Sequence, residues 1–322
     1  MITGVGGFIG SNILEELLKL NQKVIGIDNF STGHKKNLVD VQKLVSFKQW
    51  SNFKFLKGDI IDFKFCRKVV KKVDFVLHQA ALGSVPRSIK DPISSNKNNV
   101  TGFLNMLHAS NLSKVKNFVY ASSSSVYGDH PKLPKIENIT GNLLSPYAAT
   151  KHTNEVYADV FSKSYGLNCV GLRYFNVFGK RQDPNGSYAA VIPKWIKLII
   201  ENKDLYIFGD GTTSRDFCYI ENAVFANILA CLKNKNKHQI YNIAAGERTT
   251  LNDLFYQIKM IASKYGINFP QQKLNYQNFR NGDVKHSLAN IKKARKGLSY
   301  HPLYFVKEGL EKTFQWYLKR NV

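Results

Sequence analysis

Short apolar runs alternate with helical stripes along the first half of the chain, and that rhythm restricts the fold more than any other feature. Runs at 23–27, 53–56, 73–77, 117–121 and 168–174 have strand character. Between them, Ile9, Ile13, Leu14, Leu17 and Leu18 form one helical stripe, and further helices are expected at 98–110 and 146–164. Strands separated by helices make a parallel, doubly wound α/β sheet, because parallel neighbours need long crossovers. Beyond about residue 176 the rhythm loosens into loops, with helices near 189–201, 221–232, 251–264 and 304–318. Strand-like stretches at 217–220 and 240–243 are placed to return to the first sheet. The expected organisation is a nucleotide-binding domain over 1–175, rejoined by 215–245. A smaller, discontinuous α/β substrate domain takes 176–214 and 246–322.

Composition excludes several classes. With 322 residues, 43% hydrophobic and 21% charged, the chain has ample material for a core. No apolar run approaches the length of a membrane span, and the start carries no secretory signal. Cys66, Cys169, Cys218 and Cys231 stand far apart, which fits a reducing cytoplasm and argues against a disulfide framework or a zinc site. No metal is expected. Lys plus Arg outnumber Asp plus Glu by 46 to 23, a net charge of +23. The excess is mostly lysine scattered in short clusters, which reads as a solvated basic surface suited to an acidic substrate rather than a nucleic-acid face.

Gly4, Gly7 and Gly10 open the first helix in a GxxGxxG pattern, whose tight turn brings backbone N–H groups and a helix N-terminus to a pyrophosphate. The strand-like 24–27 ends in Asp28, eighteen residues after Gly10. A carboxylate there accepts hydrogen bonds from ribose hydroxyls and repels a 2′-phosphate, favouring NAD over NADP in a Rossmann-like sheet. Only Met1, Ile2 and Thr3 precede the glycine turn, whereas a central strand usually has about five residues. A natural start further upstream is therefore expected.

Tyr147 and Lys151 stand four apart within an expected helix and share a face. An ammonium near a phenol favours the phenolate, giving a base that works near neutral pH. Ser122, Ser123, Ser124 and Ser125 follow the 117–121 run, where the ends of parallel strands face the ligand crevice. The same residues also suit a surface helix and a polar loop, and four serines cannot all be catalytic.

Together these stretches, with Leu172-Arg173-Tyr174-Phe175-Asn176-Val177-Phe178-Gly179, resemble the extended short-chain dehydrogenase/reductases that act on nucleotide sugars. The stretches from His78 to Ser88, Arg181-Gln182-Asp183-Pro184-Asn185-Gly186 and Arg215-Asp216-Phe217-Cys218-Tyr219-Ile220 are more narrowly similar to UDP-N-acetylhexosamine 4-epimerases of surface-polysaccharide synthesis. The resemblance implies that Tyr147 takes the proton of the sugar 4-hydroxyl while NAD+ accepts the C4 hydride. It implies that Lys151 binds the nicotinamide ribose and that Ser123 is the catalytic hydroxyl. NAD is regenerated each turnover and stays tightly bound. Its contacts are expected from Gly4, Gly7, Phe8, Ile9, Gly10, Asp28, Asn29, Phe30, Ser31, Gly33, Asp59, Ile60, Gln79, Ala80, Ala81, Asn99 and Val177, besides Tyr147 and Lys151. The UDP-sugar is expected against Ser84, Ser123, Ser124, Ser125, Tyr147, Asn176, Ala190 and Val191. Leu205, Tyr206 and Ile207 would flank the uracil, and Arg215 and Arg280 the diphosphate. Asn252 and Asp283 come from matching positions, and a homodimer is implied.

The serine run also separates chemistries within that family. Sugar 4,6-dehydratases carry an Asp-Glu pair where this chain has Ser124 and Ser125, and uronate decarboxylases a Glu in place of Ser125, so neither proton chemistry is available. Ser287 matches a gatekeeper position that excludes N-acetylated sugars when it is a tyrosine. Pattern alone makes it the start of a surface helix. The reading is an NAD-dependent 4-epimerase of UDP-GlcNAc and UDP-GalNAc. A uronate 4-epimerase of UDP-GlcNAcA and UDP-GalNAcA is the alternative, and a non-catalytic NAD-binding protein a more distant one.

Overall fold

The β-branched and aromatic runs become strands of one seven-stranded sheet: β1 (Ile2–Thr3), β2 (Val24–Asp28), β3 (Phe53–Lys57), β4 (Phe75–His78), β5 (Asn117–Ser123), β6 (Cys169–Tyr174) and the strand His238–Ile243. The structure is a computed structural model and describes residues 1–185, 189–233, 237–267, 274–278 and 285–320. Every pairing in this sheet is parallel, and the spatial order is β3, β2, β1, β4, β5, β6, His238–Ile243. The Rossmann-like α/β fold is thus realised. The order reverses between β1 and β4, so the ends of those two strands diverge into a crevice, where ligands bind in such sheets. Although only two residues long, β1 pairs on both sides, with Ile2 opposite Gly26 and Leu77, and Thr3 opposite Ile27 and His78.

Alternation along the strands sends side chains to two apolar clusters. On β5, Phe118 and Tyr120 join Phe103, Met106 and Phe161, whereas Val119 joins Ile13, Leu14 and Val170. The helix Pro146–Tyr165 is bounded by local chemistry. Ser145 accepts the Ala148 N–H as N-cap, Pro146 occupies the first turn, and Gly166 closes it at φ 73°.

Several expectations differ in detail. β5 runs on to Ser123, which draws Ser122 and Ser123 into the strand. The expected strand at 217–220 is only Cys218–Tyr219, and it pairs with Val177–Phe178 outside the main sheet. The helix expected from residue 98 begins as a π-helical turn, Lys97–Thr101, before Gly102–Leu112. Short helices at Lys35–Leu44, Phe63–Val69, Val85–Lys90, Pro92–Asn96 and Lys292–Leu298 had no clear stripe in the sequence. The strand Leu274–Gln277, paired with Leu205–Phe208, was also unanticipated.

Candidate active site

A cavity of about 540 Å3 opens at the C-terminal ends of β1, β2, β4, β5 and β6. Its floor is the glycine turn. Gly4 adopts φ 69°, and a Cβ there would stand 2.8 Å from the Ala80 nitrogen. Gly7 caps the helix Phe8–Lys19 with no side-chain acceptor, leaving first-turn amides for a ligand at the positive end of the helix.

Asp28 ends β2 at this turn and is buried. Its Oδ2 accepts the Gly6 N–H at 2.8 Å and its Oδ1 the Phe30 N–H at 2.7 Å. That fixes the carboxylate at the cavity wall, with lone pairs left for ribose hydroxyls. Phe30 reaches the site indirectly, because its ring packs so close to Gly6 that a Cβ there would come within 2.7 Å. Asp59 likewise acts on a neighbour, accepting from Asn29 Nδ2 at 2.8 Å. Asn99, in the π turn, clamps the loop after β4: its Oδ1 accepts Leu82 N–H at 2.7 Å and its Nδ2 donates to Leu82 O at 3.0 Å. These three sit behind the cavity, and the other expected NAD residues line it. The glycine cradle, capless helix and anchored carboxylate fit a dinucleotide.

The reacting groups meet at the other end. Ser123, Tyr147 and Lys151 all line the cavity. The Lys151 ammonium donates to the Ala121 carbonyl at 2.8 Å and lies 5.9 Å from the centroid of the Tyr147 ring. Burial pushes Lys151 down to about 8, opposed by the Glu155 carboxylate. Burial also raises the Tyr147 phenol above its ordinary value, with the Ser123 hydroxyl pulling the other way. The expected lowering of the phenol by the lysine is therefore not what the structure gives: burial raises Tyr147, and the group pulling it down is the Ser123 hydroxyl. Ser125 Oγ donates to Ser123 Oγ at 2.9 Å, which orients that hydroxyl.

On the substrate side, Ser84, Asn176 and Ala190 line the cavity. Ser124 and Ser125 lie in the turn behind Ser123, and Val191 starts the helix behind Ala190. Along residues 205–207 the side chains alternate. Leu205 and Ile207 are buried in the core, and only Tyr206 projects outward. Asn252 is spent on the 209–211 loop, donating to Asp210 O and accepting from the Tyr276 hydroxyl. Arg215 Nη1 donates to the carbonyls of Ser214 and Lys285, and its strand lies beside Ser287 through the Ser287 N–H to Ser214 O bond. Ser287 does not start a helix, since the next one begins at Lys292. Arg280 and Asp283 lie outside the described residues.

The sequence reading missed Thr32, Arg87, Asn98, Gln182 and Asp183, which also line the cavity. Arg87, Gln182 and Asp183 were within noted motifs, but nothing in them said which side chains turn inward. His34 Nε2 and Asp183 Oδ2 lie 3.2 Å apart and join the loop after β2 to the 179–185 loop beside the cavity. Among the described residues no group of acidic, His or Cys side chains is arranged for a metal ion, and no helix is long and apolar enough to cross a membrane.

Residues 1–244 match the NAD dependent epimerase/dehydratase family. The UDP-glucuronate 4-epimerase of Thermodesulfobacterium geofontis is 35% identical, over 100% of this chain and 96% of its own. Among solved structures, a UDP-N-acetylglucosamine 4-epimerase from Methanobrevibacter ruminantium M1, in complex with UDP-N-acetylmuramic acid, is 38% identical with a TM-score of 0.90, covering 99% of this chain and 97% of that one. A UDP-glucuronic acid 4-epimerase from Bacillus cereus, in complex with UDP-glucuronic acid and NAD, is 31% identical with a TM-score of 0.87, covering 100% and 99%. The chain therefore belongs to the NAD-dependent epimerase/dehydratase family and, within it, to the UDP-sugar 4-epimerases.

Proposed function

We propose that this enzyme interconverts UDP-GlcNAc and UDP-GalNAc in the cytoplasm, supplying surface-polysaccharide synthesis. The observation carrying the choice of sugar is Ser287, a small, half-buried side chain on the segment bonded to Ser214. At the gatekeeper position that the resemblance assigns to it, a small side chain would leave room for a 2-acetamido group where a tyrosine would fill the space. The similarity to a UDP-N-acetylglucosamine 4-epimerase at 38% identity supports the same reading.

NAD, held by the glycine turn and Asp28, would supply the hydride acceptor and donor for C4 of the sugar. The chain's own residues manage the proton and the geometry. Tyr147 removes the proton of the 4-hydroxyl and gives it back, and Ser123 steers that transfer. Lys151, held on the Ala121 carbonyl 5.9 Å from the Tyr147 ring, supplies a nearby positive charge while the phenol's proton moves. Asn176 and Arg215 hold the diphosphate end, Arg215 through planar donors suited to phosphate oxygens. The chain works as a homodimer, with the exposed Val156 and Val160 of the Pro146–Tyr165 helix facing the partner while Phe161 stays in the core.

Proton NMR of the purified protein with UDP-GlcNAc and no added NAD tests this. Appearance of UDP-GalNAc is expected. Turnover of UDP-GlcNAcA in place of UDP-GlcNAc would move the assignment to the uronate enzyme. Silence on both, with bound NAD confirmed, would leave a non-catalytic NAD-binding protein.

A further inference from the structure

Tyr147, Lys151 and Glu155 recur every four residues and so stand in line on one face of the Pro146–Tyr165 helix. Three consecutive residues of β5 meet them. Ser123 lines the cavity with Tyr147 and pulls its phenol down, the Ala121 carbonyl accepts from Lys151 Nζ, and the Ser122 hydroxyl donates to Glu155 Oε1 at 2.6 Å. Glu155 is held from a second strand as well: Arg173 on β6 donates through Nε to Oε1 and through Nη2 to Oε2, both at 2.8 Å. Arg173 in turn donates to the Glu137 carbonyl at 2.9 Å and lies 4.7 Å from the centroid of the Tyr127 ring. Ser122, Lys151, Glu155 and Arg173 are all at most 4% exposed.

A buried ion pair is a poor source of stability, since apolar residues of similar volume commonly do as well. What apolar residues would not supply is a directional lock between helix and strand within one turn of the reacting groups. Two angular bonds from β6 and one from β5 define both the rotation and the height of the helix. Catalytic atoms need placement within about half an ångström, which packing alone leaves loose. We propose that Glu155 is a positioning residue of this active site, registering the Pro146–Tyr165 helix on β5 and β6 so that the Lys151 ammonium stays on the Ala121 carbonyl beside Tyr147. This rests on Tyr147 and Lys151 being the working pair. Glu155 is also the charged group that opposes the burial of Lys151.

The test compares Glu155→Gln, the double variant Glu155→Gln/Arg173→Met and Lys151→Met on the NAD-bound enzyme with UDP-sugar. Lysine titration is followed separately by 13C NMR of the Lys151 side chain. Glu155→Gln is expected to lower kcat about 10- to 100-fold with KM changed less than threefold, and to move both the Lys151 titration and the alkaline limb of kcat to lower pH. Because Glu155→Gln leaves Arg173 buried without its counter-charge, the double variant serves if the single one does not fold. The double variant is expected to regain stability but to keep the kcat defect and the shifted titration. A double variant with wild-type kcat, KM and Lys151 titration would overturn the proposal and leave a merely structural ion pair. A fully active Lys151→Met would instead overturn the working pair on which the proposal rests.

Discussion

A Cβ at residue 10 would stand 2.1 Å from the Gly4 carbonyl oxygen, inside any tolerated contact, and that oxygen belongs to the backbone of the turn itself. Gly10→Ala is therefore expected to distort the pyrophosphate cradle, releasing NAD and lowering the melting temperature by several degrees; dialysis followed by absorbance of retained cofactor reads the first, calorimetry the second. If Ser287 gates the sugar pocket as proposed, Ser287→Tyr is expected to cut kcat/KM on UDP-GlcNAc at least about tenfold more than on UDP-glucose, a pocket-shape effect of about 1–3 kcal/mol. Equal losses on both sugars would remove Ser287 from specificity. Gly10 was legible in the sequence from its spacing, whereas Ser287 was singled out there only by resemblance. Asn99 and Asp59 were legible only as site residues, not as braces for Leu82 and Asn29, because which neighbour a polar side chain holds depends on how loops return.

At the scale of elements, two loops are joined beside the cofactor cavity by His34 and Asp183. The second loop is anchored further down. Arg181 donates to Asp40 at 2.9 Å and to Glu15, and Lys180 donates to Glu15 at 2.7 Å. Burial would raise Glu15, but the Arg181 and Lys180 charges hold it down to about 2. The base of the loop is thus tied firmly to the helices Phe8–Lys19 and Lys35–Leu44, while its tip depends on a half-exposed pair at 41% and 34%. His34→Ala is expected to raise the NAD dissociation rate about two- to fivefold, as suits an exposed pair, with little change in melting temperature. Stopped-flow displacement measures it, and an unchanged rate would show that the tip does not retain cofactor.

Across the whole molecule, acid stability follows from groups buried behind the site. His78 ends β4 entirely out of water, with Nδ1 3.0 Å from the Thr3 hydroxyl, and burial, aided by the Lys151 charge, lowers it to about 3. Between its ordinary 6.5 and about 3 the unfolded chain binds a proton that the folded one refuses, so stability is present above that window and lost as pH falls through it. Asp216 works in the opposite direction. Burial pushes it up to about 7 despite N–H donors from Ala245, Gly246 and Ala289, so its contribution is lost as pH rises through the range from 3.8. Comparison with His78→Asn isolates the histidine: the stability advantage of the wild type should shrink by about 1.4 kcal/mol per pH unit below pH 6. A gap that stays constant from pH 7 to pH 4 would show that His78 takes up its proton in the folded state.

Periodicity and the glycine turn by themselves determined a parallel α/β sheet, a dinucleotide site after its first strand and a Tyr147–Lys151 face, because these signals are local in the chain. They did not determine which short runs join which sheet: Cys218–Tyr219 and Leu274–Gln277 pair outside the main sheet, since two to four residues carry too little pattern to choose a neighbour. Only the tertiary structure decided that Leu205 and Ile207 turn into the core, and that burial raises the Tyr147 phenol. The meeting of Ser122, Glu155 and Arg173 was likewise decided there. Burial and bond direction come from segments far apart in the chain, and no spacing along it reports the distance between them in space.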